Sequence, residues 1–498
     1  MSSTLIILCI LGYFGFLLLI AWFTSRNSNA DSYFIGNKSS PWYAVAFGML
    51  GDSLSGVTYI SVPGAVNSSG FSYMQLVLGY FFGYLIISHV LLPLYYKMNL
   101  LSIYTYLEKR FGRITQKTGA SFFILSRILG AAGRLFLAAG VIQYFVFDRI
   151  DGMHVPFAVS VSVIIALMLL YTYKGGIKTL VWTDTFQSLF LILGVILSIV
   201  AIMNHTGWSV GDSITKISDS GYSKMFFWDW KATSFFPKQF LGGIFIAVTM
   251  TGLDQNMMQK NLSMKSLGEA QKNMFWFSIV LIIVNIFFLA LGAMLYLYYN
   301  QTGVALPMNA ETGKVITDKV FPNLALNHLG IFAGLVFIIG LTAATFSSAD
   351  SVLTTLTTSM YVDMFELDKK EKLSDKKKAN YRHVIHIGFA VVLWAVILIF
   401  EALNNSAIID TILKIAGYTY GPLLGLFSYG LIFKMNLRDK LVPLVCVVAP
   451  IFCYTLSTNS KAWFGGYEVG NELIIWNGLI TLAGLLAITK FTAKSIKH

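Results

Sequence analysis

At 498 residues, with 56% hydrophobic and only 12% charged side chains, the chain has too little polar surface for a soluble globular protein. Its net charge of +12, beside a mean hydropathy of +0.68, does not point to nucleic acid: Lys and Arg gather in alternate loops, the positive-inside signature, with no basic face interleaved with aromatics. The three cysteines, Cys9, Cys446 and Cys453, all lie in apolar segments, which argues against a disulfide framework or a metal site.

Crossing about 30 Å of hydrocarbon takes roughly 20 apolar residues in a helix. In chain order the predicted spans are 5–23, 42–64, 72–97, 118–146, 154–172, 178–204, 236–258, 273–299, 326–361, 382–402, 408–433, 441–456 and 471–491. They predict an all-α integral membrane protein of about thirteen transmembrane helices, one transporter domain over 1–498. The first run has no positive n-region and no small-residue cleavage site, and Arg26 and Lys38 follow it. It reads as a retained helix with the N-terminus outside, not as a signal peptide. The odd-numbered connections are then cytoplasmic, holding Lys109-Arg110-Phe111-Gly112-Arg113, the stretch Lys260 to Lys272, and Lys369 to Arg382; Lys494 and Lys497 put the C-terminus inside. The charge run Asp368 to Lys378 reads as a solvated loop, and Trp208, Trp228 and Trp230 in the external segment 205–235 as interfacial anchors.

Two spans carry breaks. In the second, six of the eight residues Gly51-Asp52-Ser53-Leu54-Ser55-Gly56-Val57-Thr58 are glycine or polar. Unwound membrane helices free backbone carbonyls and amides near the midplane, which is where transporters bind solute and ions. Small residues for close helix packing are the plainer reading, but they leave Asp52 unexplained. The seventh span has a weaker break at Thr249-Met250-Thr251-Gly252-Leu253-Asp254-Gln255. Five helices separate the two, a spacing that predicts two inverted five-helix repeats, 42–204 and 236–433, with 5–23 and 441–491 as additions.

The ninth span reads Ala344-Thr345-Phe346-Ser347-Ser348-Ala349-Asp350-Ser351, with Ala344, Ser347, Ser348 and Ser351 on one helix face. Hydroxyls and freed carbonyls suit a monovalent cation, although Ser and Thr in membrane helices also bond back to their own backbone. Asp184 and Asp350 are carboxylates in the inner half of the membrane, each needing a cation, a proton or a paired base.

Tyr106-Leu107-Glu108-Lys109-Arg110-Phe111, Gly175-Gly176 with Trp182-Thr183-Asp184, and Asp254-Gln255 followed by Gln259-Lys260 and Glu269-Ala270-Gln271-Lys272 resemble signatures of the sodium/solute symporters. That family includes sodium/galactose, sodium/proline and sodium/sialic-acid carriers, and the resemblance covers nearly the whole chain. It implies the inverted-repeat fold called LeuT-type, Na+ as coupling ion, and uptake of a small organic solute across the cell membrane by secondary active transport. Carried over, the sodium site falls on the carbonyls of Gly51, Leu54 and Ala344 and the hydroxyls of Ser347 and Ser348. A second sodium held by some members would fall on Asp184, Asp350 and Ser351; Asp350 replaces the usual hydroxyl and alternatively carries a proton.

The sugar-binding positions of the galactose carriers fall on Leu78, Ala247 and Leu281, which have lost the polar groups. The run Ser53 to Pro63 is instead similar to the sialic-acid carriers, whose solute-site hydroxyls map to Ser53, Ser55 and Thr58. Those carriers hold the substrate carboxylate with an arginine after a glycine. Gly133-Arg134 resembles that pair about a turn out of register, with Arg127 on the same face as the fallback. Lys414 falls where related carriers place a polar substrate contact. The resemblance thus implies an anionic sugar-acid-like solute such as sialic acid, with a neutral sugar, a polyol or an amino acid as alternatives.

Other classes fit less well. A channel is built around a pore of repeated subunits or rings, whereas this chain offers one asymmetric site. The histidines make no metal-ligand spacing with carboxylates and no nucleophile motif appears, so no enzyme is expected. A sensor on a transporter scaffold needs a signalling domain, which the sequence does not supply.

Overall fold

Backbone N–H and C=O groups find no water in hydrocarbon, so an apolar chain of this length is driven into helices that bond internally. The computed structural model describes residues 3–26, 30–145, 147–149, 155–309, 313–403 and 417–490. Among these residues eight helices are long and apolar enough to cross a membrane: Leu5–Ser25, Tyr73–Met98, Arg113–Leu137, Gly176–Thr206, Leu267–Thr302, Gly330–Met364, Asp375–Leu403 and Asp439–Trp463. The bent pair Trp42–Ser53 and Thr58–Ser69, at 58°, makes a ninth if counted as one span. Shorter apolar helices cover Phe157–Tyr173, Tyr420–Ile432 and Leu473–Ala487. The chain is a multi-pass membrane protein.

Polar content decides which helix lies inside. Every residue from Gly340 to Ser359 is buried, although many are Ser or Thr, and this helix packs against Phe157–Thr206, Trp42–Ser53, Gly56–Ser69 and Arg113–Phe145. The helix Val442–Trp463 is the opposite case: Leu444, Val447, Val448, Ile451 and Phe452 are all exposed, an apolar face for lipid.

Both predicted breaks are present. The first helix of the bent pair stops at Ser53, Leu54 and Ser55 leave helical geometry, and the next helix starts at Gly56. The segment Phe236–Ala247 runs through a π turn, Val248–Gly252, leaves the helix at Leu253 and Asp254, and resumes as Gln255–Leu262. Asp254 caps the resumed helix, its carboxylate accepting from the Met257 N–H at 3.2 Å. A third interruption falls at Gly176 (φ 51°, ψ −145°), where a Cβ would stand 2.5 Å from the Tyr33 carbonyl oxygen, so only glycine fits.

The connections sort into two groups. Ser40 N bonds the Ser263 carbonyl at 3.1 Å, Arg113 meets Glu366 at 2.5 Å, Arg110 reaches the Phe433 carbonyl at 2.6 Å, and Asn436–Leu437 pairs with Thr489–Lys490. At the other end Phe71 N bonds the Lys224 carbonyl at 2.9 Å and Glu468 N the Lys231 carbonyl at 3.0 Å. The odd-numbered loops thus meet one another, and so do the even-numbered ones. Trp228 and Trp230 are exposed as anchors would be, but Trp208 is tucked in at 9% exposure under the Lys216 ammonium.

Candidate functional site

Where the second span breaks, its hydrogen-bond ladder stops. Thr58 N turns to the Ser55 hydroxyl at 3.4 Å, which leaves the carbonyls around Leu54 without the usual helical donor. Gly51 lies one turn before the break, against Gly330–Ser359: a Cβ on Gly51 would stand 2.2 Å from Ser347 Oγ and 2.9 Å from Ser188 Oγ. The Gly51 N–H is taken by Ser188 Oγ at 2.8 Å.

Most hydroxyls of the buried helix bond back along it. Thr342 reaches Ile338 O at 2.7 Å, Thr345 reaches Leu341 O at 2.8 Å, and Ser348 reaches Thr345 O at 3.1 Å. Ser347 Oγ is different: it is buried, has no hydrogen-bond partner, and lies against Gly51. An orphaned hydroxyl beside a glycine gap and a carbonyl-freeing break is a donor set of the hardness and size sodium needs. Ser348 lies next to it, 3.4 Å from the Ala344 carbonyl. Of the five residues assigned to sodium from sequence, Gly51 and Ser347 meet directly; Leu54 lies at the break, and Ala344 and Ser348 lie within one turn of Ser347 on its own helix.

One turn along Gly330–Ser359 from Ser347, Ser351 Oγ lies 3.4 Å from Asp184 Oδ2, on the helix Phe157–Thr206, and 3.3 Å from Asp350 Oδ1. Ser351 N donates to Asp350 Oδ1 at 2.5 Å, and Tyr171 O–H donates to Asp350 Oδ2 at 2.8 Å. Sequence reasoning missed the group at the centre. Lys260, read as the head of a cytoplasmic basic stretch, is 1% exposed and sits inside the bundle. Its ammonium pairs with Asp52, with Asp184 Oδ2 at 2.5 Å and with Ser351 Oγ at 3.0 Å. The signal was available: carboxylates in apolar spans need a cation, and Lys260 follows the second break by less than two turns of helix.

The solute candidates line two adjoining cavities. The larger, about 330 Å³, is bounded by Ser55, Ser126, Arg127, Arg134, Met250 and Tyr420. The smaller, about 100 Å³, is bounded by Asp52, Ser53, Tyr84, Arg127, Arg134 and Met250, and also by Ala247. Ser53 and Ser55 thus face the two arginines, whereas Thr58 lines neither cavity. Arg127 is committed: Nη2 and Nε stand 2.6 and 2.7 Å from Asp254 Oδ2. Arg134 is half-buried and, among the described residues, makes no ion pair and no hydrogen bond. Lys414 lies outside the described residues.

A bundle broken at two facing helices, with hydroxyl and carbonyl oxygens at one break and arginines over a cavity beside it, defines a membrane carrier rather than a pore. The profile of the sodium:solute symporter family matches residues 33–438, and the chain belongs to that family. Among its relatives, the sodium/sialic acid symporter NanT of Aliivibrio fischeri is 26% identical over 96% of this chain and 93% of its own length. The sodium/sialic acid symporter SiaT of Proteus mirabilis is 24% identical over 94% and 93%. A solved structure of a Na+-coupled sialic acid symporter, substrate-bound and outward-open, superposes with a TM-score of 0.81 at 22% identity, covering 97% of this chain and 98% of that one. Mhp1, a nucleobase-cation-symport transporter, shares the fold at a TM-score of 0.57 and 13% identity over 94% and 98%. The protein is a sodium-coupled solute symporter, with sodium as its coupling ion.

Proposed function

We propose that the solute is an anionic sugar acid of the sialic-acid kind, imported with sodium by alternating access. The observation that carries this reading is Arg134, a guanidinium on a membrane helix that lines both cavities and, among the described residues, has no ion pair. A planar fork in that position suits a bidentate carboxylate. Ser53 and Ser55, across the same two cavities, offer hydroxyls to the rest of a polyhydroxylated solute. The sialic-acid symporters among the relatives support the same choice. Sodium is held by the carbonyls of Gly51, Leu54 and Ala344 and the hydroxyls of Ser347 and Ser348, so that its binding steadies the break that shapes the solute site.

The full architecture belongs to the same proposal. The eight long helices, the bent pair, the three shorter apolar helices and the broken segment Phe236–Leu262 together make thirteen spans. The two breaks, five spans apart, support inverted repeats over 42–204 and 236–433 inside one domain of 1–498. The clustering of the basic, odd-numbered loops supports a cytoplasmic C-terminus and an external N-terminus.

The test is equilibrium binding of labelled sialic acid to purified protein in sodium. Losing one side of a buried charge pair costs about 2–5 kcal/mol, so Arg134→Ala is expected to weaken binding at least roughly thirtyfold. Arg134→Lys recovers little, because a point charge does not reproduce the fork. Near wild-type affinity in folded Arg134→Ala, or tighter binding of a neutral hexose or amino acid, overturns the anionic reading.

A further inference from the structure

The cluster below the sodium site holds three carboxylates, Asp52, Asp184 and Asp350, beside one ammonium. An ammonium has three N–H donors and no acceptor. At Lys260 they match three acceptors: Asp52 Oδ2, Asp184 Oδ2 and Ser351 Oγ. Ser351 Oγ in turn stands 3.1 Å from the Ser347 carbonyl, to which it donates. Asp350 needs no cation for its bonds, since Ser351 N, Tyr171 O–H and the Gln187 side-chain amide at 3.4 Å all donate to it. Asp52 has in addition the Asn256 amide at 3.4 Å. Among these carboxylate oxygens Asp184 Oδ1 is left buried without a partner, and a single oxygen does not make a sodium site.

We propose that Lys260 is a tethered cation: its ammonium fills the inner cation position at Asp184 and Ser351, so that the transporter binds one mobile sodium where the oxygens alone would bind two. Several features make this a built position. The lysine is fixed on the short helix Gln255–Leu262, every residue of which is buried, at the end of one broken segment. Its partner Asp52 lies on the other broken span, at the edge of the smaller solute cavity; Ser351 lies one turn from Ser347, and Asp184 one turn from Ser188, which holds the Gly51 N–H. The ammonium therefore ties both breaks to Gly330–Ser359, which carries sodium residues, and to Phe157–Thr206 beside it. Removing one partner from such a buried group leaves charge uncompensated, which a metal ion can neutralise.

This inference concerns the number of cations and rests on the family's sodium coupling, not on the solute. Its test uses sodium alone. Purified protein is titrated with radioactive sodium, without solute, and the ions bound per chain are counted, with a thermal melt as the check of folding. Wild type is expected to bind one sodium per chain. Lys260→Gln is expected to bind two, Lys260→Gln with Asp184→Asn to fall back to one, and Lys260→Arg to stay at one. Two sodium ions on wild type overturn the proposal, as does a folded Lys260→Gln that still binds one. If Lys260→Gln does not fold, the wild-type count decides alone. Loss of solute selectivity in Arg134→Ala leaves these counts unmoved, so the two proposals fail separately.

Discussion

Arg127 and Arg134 lie seven residues apart on the helix Arg113–Phe145, and only one of them has a carboxylate. Asp254 is fully buried and also caps Gln255–Leu262, so its charge is already committed to folding. Arg127→Ala strands that carboxylate, which costs about 3–5 kcal/mol in comparable buried pairs. The expected result is a marked fall in the thermal midpoint of the detergent-solubilised protein, partly reversed in Arg127→Met with Asp254→Asn, where no buried charge remains. Arg134→Ala should leave the midpoint nearly unchanged. Equal loss of stability in both single variants would mean that both arginines are structural. The sequence marks both residues as candidates but cannot rank them: which guanidinium is spoken for depends on Asp254, 127 positions away along the chain.

Among the helices, the buried one spanning Gly330–Ser359 shows how far a one-dimensional pattern reaches. The recurrence of Ala344, Ser347, Ser348 and Ser351 on one face is visible in the sequence, as is the glycine and hydroxyl content of the break at Gly51 to Thr58. What the pattern does not reveal is which hydroxyls are already used. Ser348 bonds back to Thr345 at 3.1 Å, while Ser347 bonds to nothing and faces Gly51. The two substitutions therefore separate. Ser347→Ala removes a free oxygen from the site and is expected to raise the sodium concentration for half-maximal binding roughly tenfold or more, about the worth of one good oxygen contact. Ser348→Ala removes an oxygen that must first leave its backbone partner, so its effect should be smaller. A sodium titration of both variants, followed by intrinsic fluorescence, reads the difference; equal shifts would remove the special place of Ser347. Lys260 was misplaced for a related reason. Loop charge and buried charge look alike along the chain, and only the return of the second broken segment into the bundle puts that ammonium among carboxylates.

At the scale of the whole transporter, charge bookkeeping decides what can drive uptake. Each elementary charge crossing 100 mV is worth about 2.3 kcal/mol, and a tenfold sodium gradient adds about 1.4 kcal/mol. One sodium with a neutral solute collects both, enough for accumulation of several hundredfold. One sodium with a monoanion carries no net charge, so voltage drops out and accumulation is limited to about the sodium ratio itself. If Lys260 supplies the inner cation and stays with the protein, a sialic-acid-like solute is therefore carried electroneutrally. Proteoliposomes with a tenfold inward sodium gradient should then reach about tenfold accumulation, the same with the interior held at zero or at −100 mV. In Lys260→Gln a second sodium enters with the solute, one net charge moves inward, and the negative interior should stimulate uptake. Voltage-stimulated uptake of the anion by wild type would show that two sodium ions travel with it and would release Lys260 from that role. Voltage-stimulated uptake of a neutral solute with one sodium would leave Lys260 in place and remove the carboxylate from Arg134.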